Sequence, residues 1–150
     1  MKTLKYTVLF SVFLLFAACP EIDYKRDFKF SNNSSIEVYV YLGIVGKELG
    51  GSLYPDTTIA KVKSGIPFKK GEKRTYSYNG KHLLVDTLCL FIFDAFIFNT
   101  FDWDNIKNEY KILKRYDLSL KDFENLKYEV SYPPTEAMKD MKMYPPYGSE

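Results

Sequence analysis

Apolar and polar residues alternate most strictly between Ile36 and Leu42. Ile36, Val38, Val40 and Leu42 share one face, and Glu37, Tyr39 and Tyr41 share the other. A period of two marks a half-buried β-strand, and the aromatic second face predicts partial cover there as well. Arg74–Tyr78 alternates again, with Tyr76 and Tyr78 together, and the Asn79-Gly80 that follows is a strong turn signal. Asp27–Phe30 and Tyr128–Tyr132 read as further strands, and Ile59–Val62 as a short one. Leu83–Phe98 is the most apolar stretch beyond the N-terminus, and Leu88–Phe93 inside it does not alternate at all. Such a run predicts a central strand buried on both faces. Asp86 and Asp94 bracket it, which argues against a membrane span.

Helical spacing recurs twice. Trp103, Ile106 and Tyr110 fall on one face of a predicted helix, with Asp102 as its N-cap. Ser119–Asp122 fits a capping box, and Leu120, Phe123 and Leu126 follow at helical intervals. Ser31–Ser35 and Lys69–Glu72 are turn-forming clusters, and Gly43–Thr58 is the longest predicted loop. The pattern predicts a mainly β chain with two short helices between Asp102 and Leu126. Its fold class is a small β-sandwich-like single domain over residues 27–150. The Pro-rich C-terminal tail repeats Tyr132-Pro133-Pro134 as Tyr144-Pro145-Pro146, with Tyr147 behind. Two readings fit it: an extended ligand for a partner's aromatic groove, or an ordered tail laid over the domain. The second is preferred, because no low-complexity linker isolates the tail.

The N-terminus follows a different pattern. Lys2 and Lys5 precede an almost wholly apolar run from Thr7 to Phe16, then Ala17, Ala18 and Cys19. A charged start, a short apolar core and a small-residue exit are the parts of a secretory signal peptide, here residues 1–18. The run is shorter than the about 20 residues a helical span needs. Phe16-Ala17-Ala18-Cys19 resembles the lipobox of bacterial lipoproteins, with Phe16 where that family usually carries Leu. The resemblance implies removal of residues 1–18 and acylation of Cys19 at its sulfur and new amine, palmitate included. Several acyl chains at about 0.8 kcal/mol per buried methylene anchor a protein without spanning. Residues 19–26 then form a tether. Glu21 and Asp23 in it fit two readings: an acidic signal for surface export, as in Bacteroides-type lipoproteins, or a solvated linker.

Charge removes one class of partner. The formal net charge of +2 resides in Lys2 and Lys5, so Cys19–Glu150 is formally neutral and no basic excess argues for nucleic acid. With Cys19 acylated, Cys89 has no disulfide partner and reads as a small buried residue inside LCLFIF. Its sequence neighbours offer no base or cation to activate it. The 13 Tyr, 12 Phe and 1 Trp fit both sheet faces and a ligand-binding surface.

Catalytic and metal chemistry have thin support. His82 is the one histidine, too few ligands for a zinc site. Asp94, Asp102 and Asp104 form the one Asp cluster, and Ile106 and Lys107 stand where a calcium loop needs Asp or Asn and Gly. No G-x-S-x-G elbow is present. No catalytic residue, metal site or cofactor is nominated.

LCLFIFDA (Leu88–Ala95), YKILKRYDLSLKDFENL (Tyr110–Leu126), SYPPTEAM and KMYPPYG, with Tyr54-Pro55-Asp56-Thr57, resemble a group of Bacteroides-type lipoproteins to which no function is assigned. The resemblance implies an outer-membrane address, lipid-anchored and facing the periplasm or the surface. It also implies O-glycosylation at Thr57, because Asp-Thr followed by a small or apolar residue is a modification site in such bacteria. The functional expectation is a non-enzymatic anchored protein that binds or supports an envelope partner. The alternative is a glycan- or small-ligand-binding accessory protein.

Overall fold

A computed structural model describes residues 25–43, 66–79 and 87–149. Cys19, Thr57, the predicted strand Ile59–Val62 and His82 lie outside the described residues.

Among the described residues, seven strands form two sheets. β1 (Lys25–Asn32) is the centre of a three-stranded sheet, with β3 (Lys73–Asn79) antiparallel on one side and β6 (Glu129–Tyr132) parallel on the other. β2 (Val38–Gly43), β4 (Thr87–Asp94), β5 (Lys114–Ser119) and β7 (Met143–Tyr144) follow one another in an antiparallel four-stranded sheet. The fold is mainly β and sandwich-like. Between the sheets lie Phe28 and Phe30 of β1, Tyr78 of β3, Val38 of β2 and Val130 of β6. Leu88, Leu90 and Ile92 of β4 and Tyr116 and Leu118 of β5 meet them there. Phe28 lies 5.4 Å from the Tyr76 ring and 5.1 Å from Phe123, separations at which aromatic pairs attract beyond their buried area.

β4 is buried on both faces, as its unbroken apolar run predicts. Its second face, Cys89, Phe91 and Phe93, meets a smaller core with Phe98 and Ile106. Those two come from α1 (Ala95–Thr100) and α2 (Trp103–Asn108). Helix α3 (Leu120–Asn125) sends Phe123 into the main core, with Leu126 just behind it. The outer face of the β1 sheet, by contrast, carries the exposed Asp27, Lys29, Thr75, Ser77 and Glu129 and needs no cover.

Several boundaries differ from the sequence reading. Among the described residues, the two short helices expected between Asp102 and Leu126 form, and a third, α1, precedes them. α1 begins at the end of the apolar stretch Leu83–Phe98, beyond the part that reads as a strand, and Asp94 turns the chain by accepting from the backbone N–H groups of Phe96 at 2.7 Å and Ile97 at 3.3 Å. Tyr110 is not on a helix face: α2 ends at Asn108, and Tyr110 sits in the left-handed region with φ 51°. β1 begins at Lys25, two residues before the predicted Asp27. Ile36 precedes β2 and is exposed. Gly43 pairs with Cys89 as the last residue of β2 rather than opening a loop, and a Cβ there would lie 2.7 Å from the Phe91 ring. The Ser119–Asp122 capping box forms as read. The tail is laid over the domain: Met138 is fully buried, β7 pairs with β5, and the Nζ of buried Lys114 donates to the Pro145 carbonyl at 3.2 Å.

Asn32, wholly buried at the end of β1, joins the two sheets. Its amide donates to the carbonyls of Ile36, Phe68 and Lys69 at 2.8, 3.0 and 3.3 Å, and its Oδ1 accepts from the Ser34 N–H and hydroxyl. Phe68 in turn bridges Val38 of β2. Replacing Asn32 by Ala removes one donor from each of these carbonyls, leaves the Ser34 N–H and hydroxyl without their acceptor and opens a hole at a fully buried position. The expected loss is about 2–4 kcal/mol in urea unfolding, and a loss under 0.5 kcal/mol would show that the corner holds without it.

Candidate functional site

Two places concentrate polar or exposed apolar groups. The first lies on the outer face of the β4–β5 pair, where the register sets Cys89 opposite Asp117. Asp117 accepts from Arg115 through Nε at 2.6 Å and Nη2 at 2.9 Å. The Cys89 thiol donates to Oδ1 at 3.0 Å, and Lys142 Nζ stands 3.1 Å from Oδ2. Arg115 also bonds Tyr110. Tyr110 meets the Tyr144 ring edge-on at 5.1 Å. Burial alone would raise the Asp117 pKa, but the bonds from Arg115, Cys89 and Lys142 outweigh it and hold the carboxyl below its ordinary value. Burial, then the hydrogen bond and charge of Asp117, push the Cys89 thiol up to about 12, against the partial offset of Arg115. Cys89 is therefore buried as read, yet it has a cation and an acid beside it that its sequence neighbours do not show. A thiol that keeps its proton at neutral pH and has no exposure is a poor nucleophile.

The second place is an open groove of about 490 Å³ beside the Asn32 corner, lined by Ile36, Glu37, Asp94, Phe96, Asn99 and Thr100. Phe96 is 72% exposed and Ile36 38%. Tyr39 donates to Asn99 across 3.3 Å and steadies the α1 wall. A recess of about 290 Å³ lies elsewhere, against Ser31, Lys73, Leu126, Lys127, Glu129 and Ser131.

The acids singled out in the sequence have structural partners. Asp94 and Asp102 cap α1 and α2, and Asp104 pairs with Lys107 at 3.3 Å. Among the described residues, no three His, Cys, Asp or Glu side chains stand together as a metal site would require. Nor is any helix among them long and apolar enough to cross a membrane. The aromatic excess is largely spent on packing. Of the described tyrosines only Tyr144 is exposed, and Trp103 is half-buried with its edge on Phe93. The groove had a faint sequence signal in Phe96, an apolar residue two places after a capping Asp. The Asp117 cluster had one in the same-face pair Arg115 and Asp117.

Comparison with protein-family models, with curated proteins and with solved structures finds no match to this chain.

Two outcomes test the cluster. Asp117 has a folded pKa below its unfolded value of about 3.9, so its contribution is complete above that value and is lost as pH falls through the folded pKa. Asp117→Asn is expected to cost about 2–4 kcal/mol at pH 7, with the gap to wild type narrowing below about pH 4. A gap of equal size at pH 7 and pH 3 in urea unfolding would refute the role given to the carboxylate. In a Cys19→Ala chain, Cys89 should resist maleimide at pH 7 and react only once denatured; rapid native labelling would contradict its burial.

Proposed function

We propose that this chain is a lipid-anchored bacterial envelope protein that acts by holding a partner rather than by catalysis. The observation that carries the reading is Phe16-Ala17-Ala18-Cys19 behind a charged and apolar leader. The fold supports it in one respect: β1 begins at Lys25, only a short tether beyond the cysteine that would carry the lipid. The groove edged by Ile36 and Phe96 supports the partner-holding half. An apolar rim with Glu37, Asp94, Asn99 and Thr100 around it suits a protein surface better than a small polar substrate. The glycan-binding alternative rests on exposed rings, and Tyr144 is what remains of that support among the described tyrosines. Thr57 stays an O-glycosylation candidate on the lipoprotein resemblance alone.

Intact mass spectrometry of the membrane fraction tests the anchor. The expected result is loss of residues 1–18 with an acyl adduct, and disappearance of the adduct in Cys19→Ala. A full-length unmodified chain in the membrane fraction sinks the reading. A photo-crosslinking residue at position 96 tests the groove. The expected outcome is a discrete adduct with an envelope protein, reduced at least fivefold by Ile36→Glu; adducts equal to those from exposed Thr75 would count against it.

A further inference from the structure

Side chains alternate along a strand, so Phe28 and Phe30 enter the core while Lys29 and Ser31 point outward. The register sets Ser31 between Lys73 of β3 and Ser131 of β6 on that outward face. There the sheet forms the floor of the recess of about 290 Å³. Lys127, in the turn between α3 and β6, and Thr135, just beyond β6, stand around it with Asn33 and Asn125.

The groups facing this recess are short of partners. Ser31 is only 9% exposed, yet its hydroxyl has no hydrogen bond among the described residues. The side chains of Asn33, Asn125 and Thr135 have none there either, and Lys73 and Lys127 have no carboxylate partner. A buried hydroxyl in a folded protein is normally bonded, and an unpaired lysine gains a charge-assisted hydrogen bond from any anion it meets.

The nearby acids do not cancel the two lysines. Glu129 is the one carboxylate in the lining, and Lys29 stands 3.8 Å from it. Glu72 accepts from Arg74 at 2.7 Å, Glu136 accepts from Lys139 at 2.9 Å, and the exposed Glu124 lies outside the lining. Lys73 and Lys127 therefore leave their charge to the recess. No aromatic ring lines it, so charge and hydrogen bonds rather than stacking would hold an occupant. β3 and β6 lie about 10 Å apart across β1, at about 4.8 Å per strand. A ring-sized molecule with hydroxyl groups spans that width better than a single inorganic ion.

We propose that the recess binds a small polyhydroxylated anion, a sugar acid or a sugar phosphate. Its charge lies beside Lys73 and Lys127, and its hydroxyl groups bond Ser31, Asn33, Asn125 and Thr135. This site does not depend on the lipidation of Cys19.

The test titrates the full chain carrying Cys19→Ala, labelled with nitrogen-15, with glucuronate, glucose 6-phosphate, glucose and inorganic phosphate. Ionic strength is held constant, so that salt screening is the same throughout. With one or both sugar anions, amide shifts should saturate at Ser31, Asn33, Lys73, Ser131 and Thr135. A preference for glucuronate assigns the charge to a carboxylate, and a preference for glucose 6-phosphate assigns it to a phosphate. Glucose and inorganic phosphate should each bind about tenfold more weakly. Lys73→Gln plus Lys127→Gln should weaken the sugar anion about tenfold without moving the urea midpoint, because both side chains are exposed and unpaired. Ser31→Ala should weaken it about threefold. Shifts that never saturate, or that survive the double substitution, are general screening of surface lysines and overturn the proposal. Equal binding of glucose or of inorganic phosphate overturns it as well.

Discussion

A strand with no polar face needs two cores, and β4 imposes that requirement on the rest of the molecule. Leu88, Leu90 and Ile92 enter the space between the sheets, while Cys89, Phe91 and Phe93 project the opposite way. Leaving the second set in water would forfeit about 1.5–3 kcal/mol for each large apolar side chain. Helices α1 and α2 provide the cover. At six residues each they are far too short to persist alone. They exist because Asp94 and Asp102 satisfy their first N–H groups and because Phe98 and Ile106 find apolar partners on β4. The β1 sheet turns a polar face outward, with Asp27, Lys29, Thr75, Ser77 and Glu129 exposed on it.

Polar groups fasten the layers where apolar packing cannot set direction. Asn32 ties the end of β1 to the segments that lead into β2. Tyr116 reaches across the core from β5 to donate to the Ser131 carbonyl of β6 at 2.9 Å. Lys114 and the Asp117 cluster hold the tail from either side of β5. Each of these is a buried group with a named partner, so each supplies geometry that a purely apolar contact would leave loose.

How much of this was legible depended on whether the signal was local. β2, β4 and the Ser119 capping box are written in consecutive residues; β4 and the box form where those residues predict, and β2 starts two residues later. α1 was missed because Leu88–Phe98 is apolar at almost every position, and such a run carries neither a period of two nor of 3.6; Asp94 was the one mark of the change. Tyr110 falls at helical spacing, but its left-handed backbone removes it from the helix. The surroundings of Cys89 were not legible from its own neighbours, and the same-face pair Arg115 and Asp117 does not by itself say which thiol it meets. The thiol's neighbours come from the cross-strand register and from a lysine in the tail, and neither is adjacent in sequence.

The Asp117 cluster resembles an active site in composition, yet its chemistry runs the other way. General acid–base catalysis wants a group whose pKa lies near the working pH. Here the carboxyl moves down and the thiol moves up to about 12, so both leave the neutral range. The carboxylate oxygens already accept from Arg115, Cys89 and Lys142, which leaves little capacity for a substrate. The backbone N–H of Asp117 meanwhile donates to the Lys142 carbonyl at 2.9 Å. The cluster is thereby a clasp between β5 and the tail. The Ile36–Phe96 groove has the opposite character. A lone exposed Phe signifies little on a protein surface. Phe96, however, faces a groove with a second exposed apolar residue across it, on a helix whose packing depends on Ala95 and Phe98 instead. Among the described residues, Phe96 stands 72% exposed while Ala95 and Phe98 of the same helix are buried.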